Sequence, residues 1–277
     1  MGWHGHLKLD YTRDGARTVA LDRHEGPLRV LRRLYPEGPG VCHHVLVHPP
    51  GGIVGGDVVA LDATLDGGTH ALITTPGATR FYRSAGDVAV QQVTARVAEG
   101  ARLEWLPLEA IAFNGCLAHN RLRFDLSPGA EMMGWDVLAL GLPAAGAAFE
   151  NGSFLQELEL PQVWLERGRI DASDLRLLDS PLGWAGQRVL GTLWFAAGAD
   201  VAHERSERLL ELARERVGEH TALSRQAGAT APQTQVVVVR VLAPRVEPAM
   251  QLLAQVWGDW RQSAWHLPPC APRVWGT

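Results

Sequence analysis

The chain of 277 residues contains one lysine, Lys8. A P-loop needs a Lys ahead of its Ser/Thr and a helix behind it, so nucleotide hydrolysis of that type is excluded. The nucleophile elbow G-x-S-x-G, the paired C-x-x-C and the zinc helix H-E-x-x-H are also missing. Cysteine is scarce. Cys42, Cys116 and Cys270 are far apart and odd in number, which argues for reduced thiols in a cytoplasm and against a disulfide framework. No run approaches the roughly 18 apolar residues of a membrane span. The opening MGWHGHLKLDYTRDG lacks the basic and apolar regions of a secretory signal. A cytoplasmic protein without membrane association is therefore expected. The formal net charge is −4 and there is no basic run, so nucleic acid is not an expected partner.

What is present is material for a core, with 46% hydrophobic and 20% charged residues. The stretch from His48 to Ser84 dominates, because Gly51-Gly52 and Gly55-Gly56 stand two residues apart behind Pro49-Pro50. Such density marks backbone at positive φ or in close approach to a neighbour. The spacing does not fit a dinucleotide fingerprint, and Asp57-Val58-Val59-Ala60-Leu61 reads as a strand where a helix would be needed.

Downstream, one template recurs at intervals of 32 and then 29 residues: Leu61-x-x-x-Leu65-x-x-Gly68, Val93-x-x-x-Val97-x-x-Gly100 and Leu122-x-x-x-Leu126-x-x-Gly129. Each glycine is followed by a further apolar residue, Ala71, Leu103 or Met132. Strand, glycine turn and second strand, repeated, imply stacked hairpins or solenoid-like coils. Alternation over Leu122–Leu126 and Phe154–Leu160 supports strands. The short runs His6–Asp10, Thr18–Leu21 and Leu28–Leu31, set between turn formers, read likewise.

Two stretches carry helical periodicity. His203–Val217 places Leu209, Leu212, Ala213 and Val217 on one face, with Glu204–Arg208 and Glu211–Arg214 spaced for ion pairs. Val246–Gln262 does the same with Met250, Leu253, Trp257 and Trp260. Between them Gln235–Leu242 reads as a strand buried on both faces. The fold class expected is mainly β, with stacked strands of solenoid-like character and a small helix–strand–helix C-terminal part. One domain is expected over residues 1–277, with a β-rich body at about 1–200 and an α+β end at about 201–277.

Few residues carry candidate chemistry. Cys42 and His44 share a strand face, and their soft ligands suit nickel or zinc; a buried Cys beside surface histidines is the simpler account of them. Asp57 either caps its glycine turn or lines a route for a divalent cation. Asp136 and Glu166 lie in apolar surroundings where an acid needs a partner, and Arg partners would make them structural. The Thr79 hydroxyl suits a turn or a passing water. Arg80, Tyr82 and Arg83 have the composition of a recognition edge, and Trp257 and Trp260 are further candidates for a contact surface.

Several of these stretches resemble one family. HPPGGIVGGD, TTPGATRFYRS and LEWLPLEAIAFNG are similar to the urease accessory protein UreD, as are GPLRVLRRLYPEG, WDVLALGLPAAGAAF, VLGTL and the closing PRVWGT. In this chain Ala110 follows Glu109, where the family commonly has Thr. The resemblance implies a mainly β scaffold that is not an enzyme. Its expected partners are apo-urease and UreF, and through UreF the GTPase UreG, so that nickel reaches the urease active site. Nickel would be in transit with no cofactor held tightly, and Asp57, Thr79, Asp136 and Glu166 would be polar positions along its route. The alternatives are a β-solenoid enzyme on polysaccharide that uses two of these acids as its catalytic pair, or a generic β-rich binding module.

Overall fold

The computed structural model describes residues 2–142 and 145–276. Pro143 and Ala144, within the Trp135–Phe149 motif, and Thr277 of the closing motif lie outside them. In chain order the strands are β1 (His4–Asp14), β2 (Arg17–Glu25), β3 (Arg29–Leu34), β4 (Val41–Val47), β5 (Val58–Leu65), β6 (His70–Thr74), β7 (Thr79–Phe81), β8 (Ala89–Val97) and β9 (Arg102–Trp105). Then come β10 (Ala110–Ala112), β11 (Cys116–Leu126), β12 (Glu131–Leu140), β13 (Gly152–Leu160), β14 (Trp164–Asp171), β15 (Val189–Ala197), β16 (Ala227–Gln233) and β17 (Val236–Ala243). The helices are α1 (Leu175–Asp179), α2 (His203–Glu219) and α3 (Val246–Trp265).

The strands form two sheets facing each other. The first has the order β14-β13-β11-β8-β5-β1-β2; the second runs β16-β17-β15-β12-β9-β6-β4-β3, with β7 and β10 beside β12. Pairing is parallel from β1 through β5, β8 and β11 to β13, and parallel from β4 through β6 and β9 to β12. The chain therefore winds as a coil, one strand per sheet per turn, and antiparallel strands close both ends.

The repeated template is the register of this coil. Leu7, Leu61, Val93, Leu122 and Leu158 align across five strands, and Tyr11, Leu65, Val97 and Leu126 form a second row. Ala71, Leu103 and Met132 stack in the opposite sheet, all fully buried. Each buried Leu or Val contributes about 1.5–3 kcal/mol, so repetition builds the core row by row. The chain crosses between sheets at Gly68, Gly100 and Gly129, with φ of 71°, 71° and 81°, a conformation that costs other residues a steric penalty.

A second core lies on the outer face of the second sheet. Val237, Val239 and Val241 of β17 face α2 and α3 there, while Val236 and Val238 face the inter-sheet core. The helix–strand–helix is thus present, its strand built into the second sheet between β15 and β16. The expected ion pairs Glu204–Arg208 and Glu211–Arg214 are not the ones formed. Arg208 pairs with Glu211 at 3.3 Å, and Arg216 reaches Glu219 on its own helix and Asp259 on α3.

A buried charged network pins α3. Glu104 on β9 accepts from Trp257 Nε1 at 2.7 Å and Arg261 Nε at 3.2 Å and bonds His70 Nε2 at 2.7 Å, while Arg261 also holds Glu37. Burial pushes the Glu104 carboxyl up, but His70, Arg261 and Trp257 outweigh it and hold it below the usual carboxylate range. Trp257 and Trp260 are 1% and 0% exposed. They are therefore not a contact surface of this chain. Their rings belong to the helix–sheet core, with the Trp260 indole donating to the Leu209 carbonyl.

Candidate functional site

Alternation along β12 decides where its acid points. Met132, Leu138 and Leu140 face the inter-sheet core, Met133, Trp135, Val137 and Ala139 the helices. Asp136 has the phase of the first set and enters the space between the sheets. On β11 the inward set is Ala118, Asn120, Leu122 and Phe124, so Asn120 interrupts an apolar phase at the same level. Its Nδ2 donates to Asp136 Oδ1 at 3.0 Å and to Gln156 Oε1 at 3.1 Å, and its Oδ1 accepts from Gln91 Nε2 at 3.0 Å. Gln91, Asn120 and Gln156 are register neighbours, so an amide ladder crosses three strands and meets one carboxyl from the other sheet.

Burial pushes the Asp136 carboxyl up to about 7, against the Asn120 hydrogen bond and with help from the charge of Glu166. The group therefore changes charge close to neutral pH. Thr192 and Arg240 continue the Asp136 row across β15 and β17. Arg240 reaches the first sheet and pairs with Glu166 on β14. Glu166 is thus an ion-paired acid at the edge of the sandwich, while Asp136 has no Arg partner among the described residues.

At its other end the ladder meets a cavity of about 320 Å³, lined by Gln91, Thr79, Arg80, His48 and Trp105 among apolar side chains. A neighbouring cavity of about 300 Å³ holds Asp57, Tyr82 and Trp3, and shares His48 and Gly52 with the first. The paired glycines make this crowding possible. A Cβ on Gly52 would lie 2.2 Å from the Tyr82 ring, and one on Gly55 2.4 Å from Ser84 Oγ. Asp57 caps the turn, its Oδ1 accepting from Trp3 N at 2.7 Å and its Oδ2 from Val54 N at 3.1 Å. Thr79 opens β7, its N–H bonded to the Glu109 carbonyl. Arg80 and Arg83 are exposed, and Tyr82 packs on Phe113 with ring centroids 5.0 Å apart. Asp57, Thr79, Arg80, Tyr82 and Arg83 thus share one end of the sandwich, whereas Asp136 is interior and Glu166 is at the lateral edge.

Cys42 and His44 do share an inward face, 3.9 Å apart, with His44 Nδ1 bonded to Tyr11 Oη at 2.6 Å. Burial, with the nearby Arg33 charge, lowers His44 to about 4 and burial raises the Cys42 thiol, so both are neutral. His43 points outward to Glu37 at 2.6 Å. Among the described residues no group of three or more His, Cys, Asp or Glu is arranged to hold a metal ion.

Gln91, Asn120, Gln156, Thr192 and Arg240 are site residues that the sequence reading missed. Asn120 was the discoverable one, a polar residue on the inward phase of an alternating strand. Arg240 was hidden by the valine run before it.

Fold and site together define a two-sheet, solenoid-like β protein whose polar groups lie in a layer between the sheets, capped on one face by helices. The family model of the UreD urease accessory protein matches residues 4–276. The chain is 66% identical to the urease accessory protein UreD of Leptothrix cholodnii and 58% identical to that of Variovorax paradoxus, covering all of both chains each time. It is 57% identical to the one from Polaromonas naphthalenivorans, with 99% of each chain covered. The chain belongs to the UreD urease accessory protein family, and its role lies in urease maturation.

Proposed function

We propose that this protein acts as a scaffold that binds apo-urease and UreF, and through UreF the GTPase UreG, and that nickel passes through it to urease along the layer between its sheets. The observation that carries the reading is Asp136, a carboxyl with no Arg partner among the described residues that meets an amide ladder inside a largely apolar core. Buried polar groups are retained where they are satisfied or used. The ladder runs from the cavity beside Thr79 through Gln91 and Asn120 to Asp136, then toward Glu166 at the edge. Asp57 lines the adjoining cavity. Oxygen ligands and water release a divalent ion readily, whereas a Cys/His cage would retain it, so nickel is cargo here. The exposed Arg80 and Arg83, with the half-buried Tyr82, at the cavity end are the proposed contact edge. No described helix is long and apolar enough to cross a membrane, and the cytoplasm, where urease matures, is the proposed place of action.

The polysaccharide-enzyme reading is disfavoured by the same residues. Its catalytic pair would face an open cleft, whereas Asp136 lies between the sheets and Glu166 is held by Arg240. The test is nickel per urease, measured after maturation with Asp57→Ala, Asp136→Ala, Glu166→Ala or Thr79→Trp. Each variant is expected to co-purify with UreF and urease yet lower the nickel content. Normal assembly with fully loaded urease in all four would place the route elsewhere.

A further inference from the structure

The polar layer reaches the side of the molecule at one level. In the first sheet its row is Gln91, Asn120 and Gln156, and the residue paired with Gln156 on the edge strand β14 is Gly168. In the second sheet the row is Asp136, Thr192 and Arg240, and the residue paired with Arg240 on the edge strand β16 is Gly228. Both glycines have the inward phase. Ile170, on the same face of β14 as Gly168, is part of the inter-sheet core. Ala227 and Ala229, flanking Gly228, pack on the helix side instead. A Cβ added at either glycine would meet nothing within 4 Å. Where the polar layer ends, both edge strands therefore lack a side chain and leave open space.

At the outer end of this level the Glu166–Arg240 pair spans the two sheets, its side chains 26% and 48% exposed, and the Asn120–Asp136 bond spans them further in. Further in, Trp194 lies over Gly134, two residues before Asp136, and is wholly buried. Its indole N–H has no partner among the described residues, which leaves a donor for a guest water in the layer.

Resting on the passage reading above, we infer that the layer opens to the outside between β14 and β16, and that Arg240 is the gate of that opening. Clamped on Glu166, its guanidinium repels a divalent cation at the mouth and neutralises the carboxylate that would attract one. An exposed ion pair is weakly held, so the side chain swings aside without disturbing either sheet. Once it moves, Glu166 faces the opening as a free carboxylate, and Asp136 is the next one inward. Arg240 is thus a positioning residue for the cargo, acting through Glu166.

The test titrates nickel ion into a maturation mixture of the full-length chain, its partners and apo-urease, and reads nickel bound per urease. Arg240→Gln is expected to reach half-maximal loading at several-fold lower nickel, and Arg240→Lys to match the wild type. Gly168→Phe and Gly228→Phe put a ring into the open space and are expected to cut loading several-fold at an unchanged melting temperature. Leu165→Phe, on the outer face of β14, should change nothing. If both Gly→Phe variants load normally while Asp136→Ala impairs loading, the passage stands and its mouth is elsewhere. If Asp136→Ala is also without effect, the passage reading falls too. Loading by Arg240→Gln that is poorer than wild type would make Arg240 a strut and overturn the gate.

Discussion

Replacing Asp136 by Asn tests the interior independently of any partner. The Asn amide keeps an oxygen for Asn120 Nδ2 to donate to and removes only the ability to ionise. The Asp136 carboxyl lies at about 7 in the folded chain against an ordinary 3.8. Below about pH 4 the acid is neutral whether folded or unfolded, and the substitution has no electrostatic effect. As the pH rises from there to about 7, the unfolded chain gives up its proton while the folded chain keeps it, so the wild type loses stability relative to the Asp136→Asn variant. Above about 7 both states are ionised and the difference is constant. Roughly three pH units at 1.36 kcal/mol each set a ceiling of about 4 kcal/mol. Asp136 retains some exposure, so about half, near 2 kcal/mol, is the expected gain for Asp136→Asn at pH 8. For a chain of this size that is a rise in Tm of about 4–8 °C. Urea unfolding of both proteins from pH 4 to pH 8.5 reads the difference directly. A gain that does not vary with pH, or a loss at pH 8, would refute a carboxyl buried at a cost. A more stable variant that delivers less nickel would show that the acid is kept for function.

Three further perturbations address the frame. Trp257→Ala removes a ring that is 1% exposed and a donor to Glu104; a loss of about 3–5 kcal/mol is expected, and an unchanged thermal melt would contradict the core assignment. Arg261→Leu leaves Glu104 and Glu37 without their shared cation and should also cost about 3–5 kcal/mol, with Arg261→Lys recovering part of it in the same denaturation assay; equal stability of the two variants would mean that the charge does not matter. Asp57→Ala deletes the acceptor of two backbone N–H groups and should lower stability by about 1–2 kcal/mol, and no change in the urea midpoint would show that the turn needs no cap.

Much of the fold was legible because it is written as repetition. Leu61, Val93 and Leu122 share a template since each occupies the same place in successive coils. The valine run of β17 showed its two-sided burial through the absence of any polar phase. The first coil was harder to read, since Tyr11 stands where the later copies have Leu or Val. Trp257 and Trp260 were readable as one face of a helix. Whether that face met a partner or this chain's own second sheet depended on Glu104, 153 residues earlier, which no local pattern reveals. At the site, Asp136 stood out as an acid in an apolar stretch. Its neighbours did not, because Asn120, Gln156 and Arg240 are joined to it only by strand register, and register between distant strands is fixed by the whole coil.

The Arg261–Glu37 contact joins residues 224 positions apart in the chain, and this governs the order in which the protein can be completed on the ribosome. The coil can wind as it emerges, each turn stacking on the one before. The outer face of the second sheet, with Leu72, Met133, Trp135, Leu193 and Phe195, stays uncovered until α3, the last of the long helices, has been synthesised. During that interval an apolar surface and the buried-to-be charges Glu37 and Glu104 both stand open to water. A nascent or C-terminally shortened chain is therefore an aggregation-prone intermediate. Its final helix works as a closing cover, so that proteolysis or truncation there would expose the oldest part of the fold as well as the newest.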